Sequence, residues 1–312
     1  MVRFRKTAHA TAVLAAAGLA AVGLGACEDE VAYDTGFESP RLVIDAWLTD
    51  QPGEQTIYVT ETQSFLDAGN PPGVTGAEVR VCRSGTEECI SFVERGGGAY
   101  AHVVGFGESP FAVGGSYTLT VSAPPSTGSG QAAVRTATAT TTVARTATID
   151  SIGFLFEEEQ IGLDSGVYAQ LFAVDPRGPG DFYYVRTVLN DTLLNTIDEF
   201  VLVADAAFTP GTVTDGIPFI FPIRFAINRQ DSADGFRPLA VGDTVYSEVR
   251  SLSPEAFFYL DEARTQIQNG EAQLFSLPVA NVTGNVRDAG GEAVLGFFNV
   301  SAVVGAGRRF GG

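Results

Sequence analysis

The first half of the chain alternates between apolar and polar positions with the two-residue period of β-strands. Leu42, Ile44, Ala46 and Leu48 occupy every second position, and the run ends at a Gln-Pro-Gly turn. About seven such strands, separated by turn residues, are expected between residues 41 and 144, a number typical of an immunoglobulin-like or prealbumin-like sandwich. We therefore predict a β-sandwich domain over residues 41–144.

Residues 145–312 are predicted to form a second β-rich domain of sandwich or barrel-like form, and they hold 16 of the 22 phenylalanines. The segment 175–180 is predicted to be a hairpin-type turn between two of its strands. Residues 305–312 are expected to fray. The expected strands cover residues 149–156, 167–174, 182–189, 199–203, 217–227, 241–249 and 294–304.

One amphipathic helix is predicted near residues 254–268. Ser253 is a suitable N-cap, Pro254 suits the first helical position, and Asn269-Gly270 can end the helix. An apolar stripe along the helix would pack on a sheet, and its members are Phe257, Leu260, Ala263 and Ile267. The fold class expected for the whole chain is therefore mainly β with one helix.

Residues 1–26 have the parts of a secretory signal peptide, with a basic start, an apolar run from Ala10 to Leu24 and small residues before Cys27. The apolar run is too short and too rich in alanine for a transmembrane helix. The series Leu24, Gly25, Ala26 and Cys27 resembles the bacterial lipobox, whose cysteine is acylated and becomes the first mature residue. This resemblance implies a lipoprotein that acyl chains such as palmitate anchor to a bilayer at Cys27.

Residues 27–40 are predicted to form an acidic, lipidated tether. Glu28, Asp29 and Glu30 directly follow Cys27. Such a triplet resembles the signal that sends lipoproteins to the outer face of the outer membrane in some Gram-negative lineages, although a solvated tether explains the same residues. The expected location is the outer membrane, with the chain exported and exposed on the outer face.

Cys82 and Cys89 are predicted to form a disulfide across a hairpin. Antiparallel pairing of the two cysteines puts Val81 opposite Ile90, and it puts Val79 opposite Phe92 on the same face. The register that a disulfide requires is thus the register that the hydrophobic pattern requires. An oxidising compartment permits this bond, and a metal pair or redox dithiol is disfavoured because the CxxC spacing and a neighbouring histidine are missing.

The formal net charge of −18 deepens to −21 when Arg3, Arg5 and Lys6 are removed with the signal peptide, leaving 16 basic against 37 acidic residues. A surface this acidic repels phosphate groups, so nucleic acid is excluded as a partner. The acidity fits an exported, solvated surface.

The sequence offers little catalytic chemistry, and we expect neither an enzyme, nor a metal site, nor a cofactor. His102 is the one histidine after residue 26, and zinc, nucleophile-elbow and phosphate-loop motifs are missing. The acidic runs Glu157-Glu158-Glu159 and Asp198-Glu199 could supply paired carboxylates, but such runs are usually solvated. A cleft lined by Phe219, Phe221 and Tyr246 is a possible ligand surface, although strand aromatics are core residues by default.

A series of short segments resembles the bacterial lipoprotein family catalogued as domain of unknown function 4249. The resemblance covers nearly the whole chain after Cys27, and where the family has Asn-Ile near its end this chain has Asn285-Val286. The segments are Arg41–Leu48, Gly76–Val79, Asp175-Pro176, Phe182–Arg186, Gly242–Val245, Val249–Ser253, Phe257–Leu260, Gly284–Val286 and Leu295–Phe298. The family has no established catalytic residues, so none is transferred to this chain.

The family resemblance implies an outer-membrane lipoprotein of the kind commonly associated with TonB-dependent nutrient transporters. The expected function is therefore a non-enzymatic accessory lipoprotein that captures or holds a ligand for such a transporter. Its partners would be the bilayer, the transporter, and an unidentified small ligand, peptide or glycan. A structural or adhesive envelope protein and a carboxylate-based hydrolase are the alternatives.

Overall fold

The computed structural model describes residues 40–64, 67, 69–125, 134–210, 214–231, 235–272 and 282–311. The predicted signal peptide, the lipobox (Leu24, Gly25, Ala26), Cys27 and the acidic residues Glu28, Asp29 and Glu30 lie outside these ranges. In the described part of the chain the fold is mainly β, as expected.

A nine-stranded sheet contains the first seven strands together with two strands from the C-terminal segment. The strands are β1 (Leu42–Thr49), β2 (Gly53–Glu61), β3 (Glu78–Arg83), β4 (Cys89–Gly96), β5 (Ala99–Val104), β6 (Ser116–Ala123), β7 (Arg135–Thr142), β16 (Arg287–Asp288) and β17 (Leu295–Ser301). Their order in the sheet is β16-β7-β6-β3-β4-β5-β2-β1-β17. Neighbouring strands are antiparallel except β1 and β17, which are parallel.

The sheet curls until its two ends approach each other, and a parallel bridge joins Ala144 to Ser301. Alternate side chains of the strands point inward, as the sequence pattern predicts. The enclosed core includes Ile44, Ile57, Val59, Leu119 and Phe298, all fully buried. This architecture is compatible with the sandwich predicted for residues 41–144, where seven strands were expected.

The predicted disulfide between Cys82 and Cys89 is confirmed. Strands β3 and β4 pair Cys82 with Cys89, Val81 with Ile90 and Val79 with Phe92. Both valines and the phenylalanine are buried, so the hydrophobic face and the disulfide select one register, as the sequence predicted.

A second sheet has five strands: β10 (Phe182–Leu189), β11 (Thr192–Leu194), β12 (Val201–Ala204), β15 (Thr244–Leu252) and β18 (Val303–Arg309). It is built on β10, which pairs with β15 on one side and with both β11 and β12 on the other, while β18 extends it beyond β15. A hairpin of β8 (Thr148–Glu157) and β9 (Gly166–Val174) covers one face. The short strands β13 (Gln230–Asp231) and β14 (Gly235–Phe236) form a separate two-stranded sheet.

The two sheets share one continuous stretch of chain, because only Ala302 separates β17 from β18. Hydrogen bonds hold this bend on both sides. The backbone of Ala302 bonds to Ser251, and the carboxylate of Asp50 accepts the Val303 amide at 3.0 Å while the Asp50 amide donates to Ser301. The two sheets are therefore joined at this bend by both the covalent chain and hydrogen bonds.

The predicted helix is present as α2 (Pro254–Ala272), and Ser253 caps it through a 3.1 Å bond from the Ala256 amide. The helix does not end at Asn269-Gly270, as predicted, but continues to Ala272. A cluster of aromatic side chains joins this helix to both sheets. Phe257 packs on Phe182 of β10, and Tyr259 packs on Phe297 of β17 with ring centroids 4.7 Å apart.

Residues 217–227 do not form the predicted strand but a loop followed by the one-turn helix α1 (Phe221–Phe225). Pro222 lies in the first turn of α1, where a missing amide costs nothing, and it would break a strand ladder.

Two further predictions are wrong. The segment 175–180 is not a hairpin turn, because β9 pairs with β8 whereas β10 pairs with other strands. Residues 305–309, part of the segment 305–312 that was expected to fray, instead pair with β15, and Gly305 permits this pairing because a side chain there would collide with the Tyr246 hydroxyl.

Residues 39–312 form one compact unit. The boundaries of the proposed domains, 41–144 and 145–312, stay a prediction, although β16 and β17 of the C-terminal segment lie in the first sheet. Among the described helices, none combines the length and the hydrophobicity that crossing a bilayer requires.

Candidate functional site

A cleft beside the second sheet has two parts, and the first is an aromatic compartment of about 490 Å³. Five phenylalanines line it: Phe200, Phe208, Phe221, Phe225 and Phe236. Phe208 and Phe221 keep 42% and 45% of their surface exposed. Apolar rings that remain open to solvent in a concave site are typical of a ligand site.

The sequence around α1 fixes these rings. Phe221 and Phe225 lie four residues apart, on the same face of the helix, and their ring centroids are 5.6 Å apart. Phe225 is buried against Tyr168 and Phe236, so it forms the floor of the compartment. Asn228 holds α1 to β9, since its amide group bonds to the Phe225 carbonyl and to both backbone groups of Ala169.

The second part is a polar compartment of about 530 Å³ between β11 and β13. Asp198 and Gln230 line both compartments, so the two are adjacent. Glu199 joins its walls, because one carboxylate oxygen accepts the Thr196 amide and the other accepts the Gln230 amide, each at 3.1 Å. These bonds fix the backbone on both sides of the cleft.

The charged groups of the polar compartment fall into engaged and free ones. Both oxygens of Glu199 are engaged, and Asp231 pairs with Arg237 at 3.3 Å. Asp198 and Arg229 are exposed, and neither side chain has an ion pair or hydrogen bond within the described residues. The compartment therefore offers one free carboxylate and one free guanidinium.

A second group of functional interest consists of three buried aspartates, Asp175, Asp181 and Asp205. One carboxylate oxygen from each lies within 4.8 Å of the others. Asp175 and Asp181 flank the connection from β9 to β10, and Asp205 directly follows β12 with the left-handed φ of 50° that aspartate tolerates.

Most of the oxygens of this aspartate cluster already accept hydrogen bonds. Asp181 binds Arg145 through both oxygens, at 2.8 and 2.6 Å. Asp175 accepts the Tyr183 hydroxyl at 2.6 Å and the Gly216 amide at 3.0 Å. Asp205 accepts the amides of Gly180 and Asp181 through one oxygen. Five of the six oxygens are thus occupied.

Burial sets the electrostatics of the cluster. It raises the pKa of Asp175, with the neighbouring aspartates adding to the effect and the bonds from Tyr183 and Gly216 opposing it. Burial followed by the bond to Asp175 raises the pKa of Tyr183. The bond to Asp181 is the main cause that raises the pKa of Arg145.

The aspartate cluster fits a structural network better than a cation site. Arg145 already supplies positive charge, and its guanidinium also donates to the carbonyls of Arg177 and Gly178. The network holds the connection 175–181 against the turn after β12, and this turn leads to the phenylalanine-lined cleft at Phe208.

The structure does not bring Phe219, Phe221 and Tyr246 together as one cleft. Phe219 is 1% exposed and packs on Tyr183 in the core, and Tyr246 lies over the glycines of β18. Only Phe221 lines the cleft. The single-sequence pattern could not separate these residues, because a core ring and a cleft ring have the same signature in a strand.

The two acidic runs singled out from the sequence lie in different elements of the fold. Glu158 and Glu159 are exposed after β8, whereas Glu199 is buried and accepts backbone amides. His102 is partly exposed and contacts Phe92. Asp175, Asp181 and Asp205 were not predicted as a group. The sequence marks only the first two, which bracket the Pro-Gly connection 175–181, and nothing in it links them to Asp205.

Comparison with known proteins adds one finding. The chain matches the family described as Domain of unknown function (DUF4249) over residues 28–305. The chain belongs to this family. No curated protein matches the chain. The family resemblance inferred from the short segments is therefore confirmed, and membership brings no assigned activity with it.

Proposed function

We propose that this member of the DUF4249 family is a lipid-anchored accessory lipoprotein of the outer membrane that captures a ligand for a TonB-dependent transporter. The observation that carries the proposal is the N-terminal series Leu24, Gly25, Ala26 and Cys27, which follows a basic start and an apolar run. Acylation at Cys27 would fix the chain to the bilayer, and Glu28, Asp29 and Glu30 would direct it to the outer face.

The architecture supports a role in ligand capture. Strand β1 begins at Leu42, and the parallel strand β17 runs from the same end to Ala302, where the chain enters the second sheet. Eight residues of strand separate these ends by about 25 Å. Residue 40, the first described residue, therefore lies next to the end of β1 that is remote from the point where the chain enters the second sheet, and the cleft lies beside that second sheet.

Affinity purification of the full-length protein from solubilised outer membranes tests the proposal. A TonB-dependent transporter should be recovered with wild type and depleted with Cys27→Ala, which cannot be acylated. Ser84→Ala, a substitution of an exposed residue, is the control and should recover the transporter as wild type does. Repeated absence of a transporter would contradict the proposal, and cell or matrix adhesion lost on deletion with unchanged uptake would favour the adhesive alternative.

A further inference from the structure

We propose that the cleft formed by the aromatic and polar compartments binds short peptides that carry an apolar side chain and free, charged termini. This inference rests on the proposed function, because it names the class of ligand that the lipoprotein would capture. Three independent features of the cleft carry it: the phenylalanine rings, the two free charges and the backbone edge of β11.

The aromatic compartment selects an apolar side chain. Phe208 and Phe221 are the most exposed of its five phenylalanines, and the buried Phe225 stacks against Phe221. Covering these rings with a side chain such as phenylalanine or leucine removes apolar surface from water on both partners. The volume of about 490 Å³ leaves room for one or two such side chains.

The same rings suit an apolar side chain better than a sugar. A phenylalanine ring has no polar atom, so it can contact the C–H face of a sugar but offers no hydrogen bond to a hydroxyl group that points at it. The polar side chains of this compartment lie around the rings, and one of them, Arg264, already pairs with Asp261. Polar groups are concentrated in the other compartment.

The free charges match a zwitterion. Asp198 and Arg229 are the charged side chains of the polar compartment that have no partner within the described residues, and they have opposite signs. An α-ammonium group complements the Asp198 carboxylate, and an α-carboxylate complements the Arg229 guanidinium. Because Asp198 lies where the two compartments meet, the ammonium group would enter next to the apolar side chain.

The edge of β11 offers backbone groups to an extended peptide. Leu189 pairs with Thr192 around the two-residue turn Asn190-Asp191, whose residues have φ values of 49° and 64°. In such a hairpin Leu189 and Thr192 exchange hydrogen bonds, so the amide and carbonyl of Leu193 face away from β10. Leu193 lines the polar compartment, where a peptide backbone can pair with it.

Calorimetric titration of the full-length protein in detergent micelles tests the apolar contact. Gly-Phe-Gly should bind, and Gly-Gly-Gly should bind at least about tenfold more weakly because it cannot cover the rings. Phe208→Ala and Phe221→Ala should each weaken Gly-Phe-Gly about tenfold. Phe106→Ala is the matched control, since Phe106 is fully exposed and lies outside the lining of the cleft.

Blocked peptides test the two charges. N-acetylation of Gly-Phe-Gly should weaken binding to wild type about threefold and should have no effect on Asp198→Asn. C-terminal amidation of Gly-Phe-Gly should likewise weaken binding to wild type about threefold and should have no effect on binding to Arg229→Gln. Asp150→Asn, an exposed change at the start of β8, should respond to both blocked peptides as wild type does.

Three results would overturn the inference. The first is that folded wild-type protein, checked by its melting temperature, does not bind Gly-Phe-Gly. The second is that Phe221→Ala binds Gly-Phe-Gly as tightly as wild type, and the third is that the protein binds maltotriose and Gly-Phe-Gly fails to displace it. None of them bears on the recovery of a transporter. A transporter recovered without peptide binding contradicts only this inference, whereas peptide binding without a transporter contradicts only the proposed function.

Discussion

Replacing Arg145 by methionine probes the aspartate network that supports the second sheet. The guanidinium of Arg145 donates two bonds to Asp181 and further bonds to the carbonyls of Arg177 and Gly178. Methionine keeps much of the aliphatic length but removes all of these donors. Asp181 would then carry its charge beside Asp175 and Asp205 without a cation.

The structure sets the size of the expected loss. Removing one partner of a fully buried ion pair costs about 3–5 kcal/mol. The side chain of Asp181 is only 7% exposed, but that of Arg145 is 42% exposed, so water can replace part of the lost interaction. We therefore expect Arg145→Met to lower the free energy of unfolding by about 2–3 kcal/mol, or by several degrees in melting temperature.

Urea unfolding at pH 7, followed by circular dichroism, measures this loss. Arg177→Met is the matched control, because Arg177 is exposed in the same connection and its replacement changes the net charge equally. The free energy of unfolding of Arg177→Met should differ from that of wild type by no more than about 0.5 kcal/mol. Arg145→Met combined with Asp181→Asn should recover part of the loss. Equal stabilities for the two methionine variants would refute the electrostatic role of Arg145.

Three further predictions concern stability. Reducing the Cys82–Cys89 bond, which closes a loop with a sequence separation of 7, should cost about 2.5 kcal/mol, and an unchanged melting temperature in reductant would contradict this. Ser253→Ala should lower the free energy of unfolding by about 1 kcal/mol, because it removes the hydroxyl that accepts the Ala256 amide; an unaltered midpoint of urea unfolding would contradict this. Because the folded state raises the pKa of Asp175 above its ordinary 3.8, its contribution to stability should grow as the pH falls through the raised pKa and level off below 3.8. The stability difference between wild type and Asp175→Asn should therefore shift in favour of wild type on acidification, and a difference that is constant with pH would contradict the raised pKa.

Local features of the fold could be predicted from the sequence. The hairpin of Cys82 and Cys89 has its register set within a few residues, by alternation and by the cysteines themselves. The start of α2 at Ser253 and Pro254 follows from capping chemistry, which also acts over a single turn. Such signals do not depend on distant parts of the chain.

Long-range pairing could not be predicted in this way. Gly305 and Gly307 are typical of a frayed end, yet β18 is ordered because β15 provides a partner and Tyr246 needs the space beside these glycines. The aspartate cluster likewise joins residues from two connections that are separated in sequence. The cleft depends on Phe221 remaining exposed while Phe219 is buried, a difference that arises only when α1 replaces the predicted strand.

The chemical state of Cys27 tests the central claim most directly. Intact-mass and peptide mass spectrometry of the protein purified from outer membranes would identify its first residue and any acyl groups. The account predicts a chain that begins at Cys27 and carries a diacylglyceryl group with a further acyl chain. A chain that retains residues 1–26, or one with an unmodified Cys27, would contradict the lipid anchor and with it the proposed role.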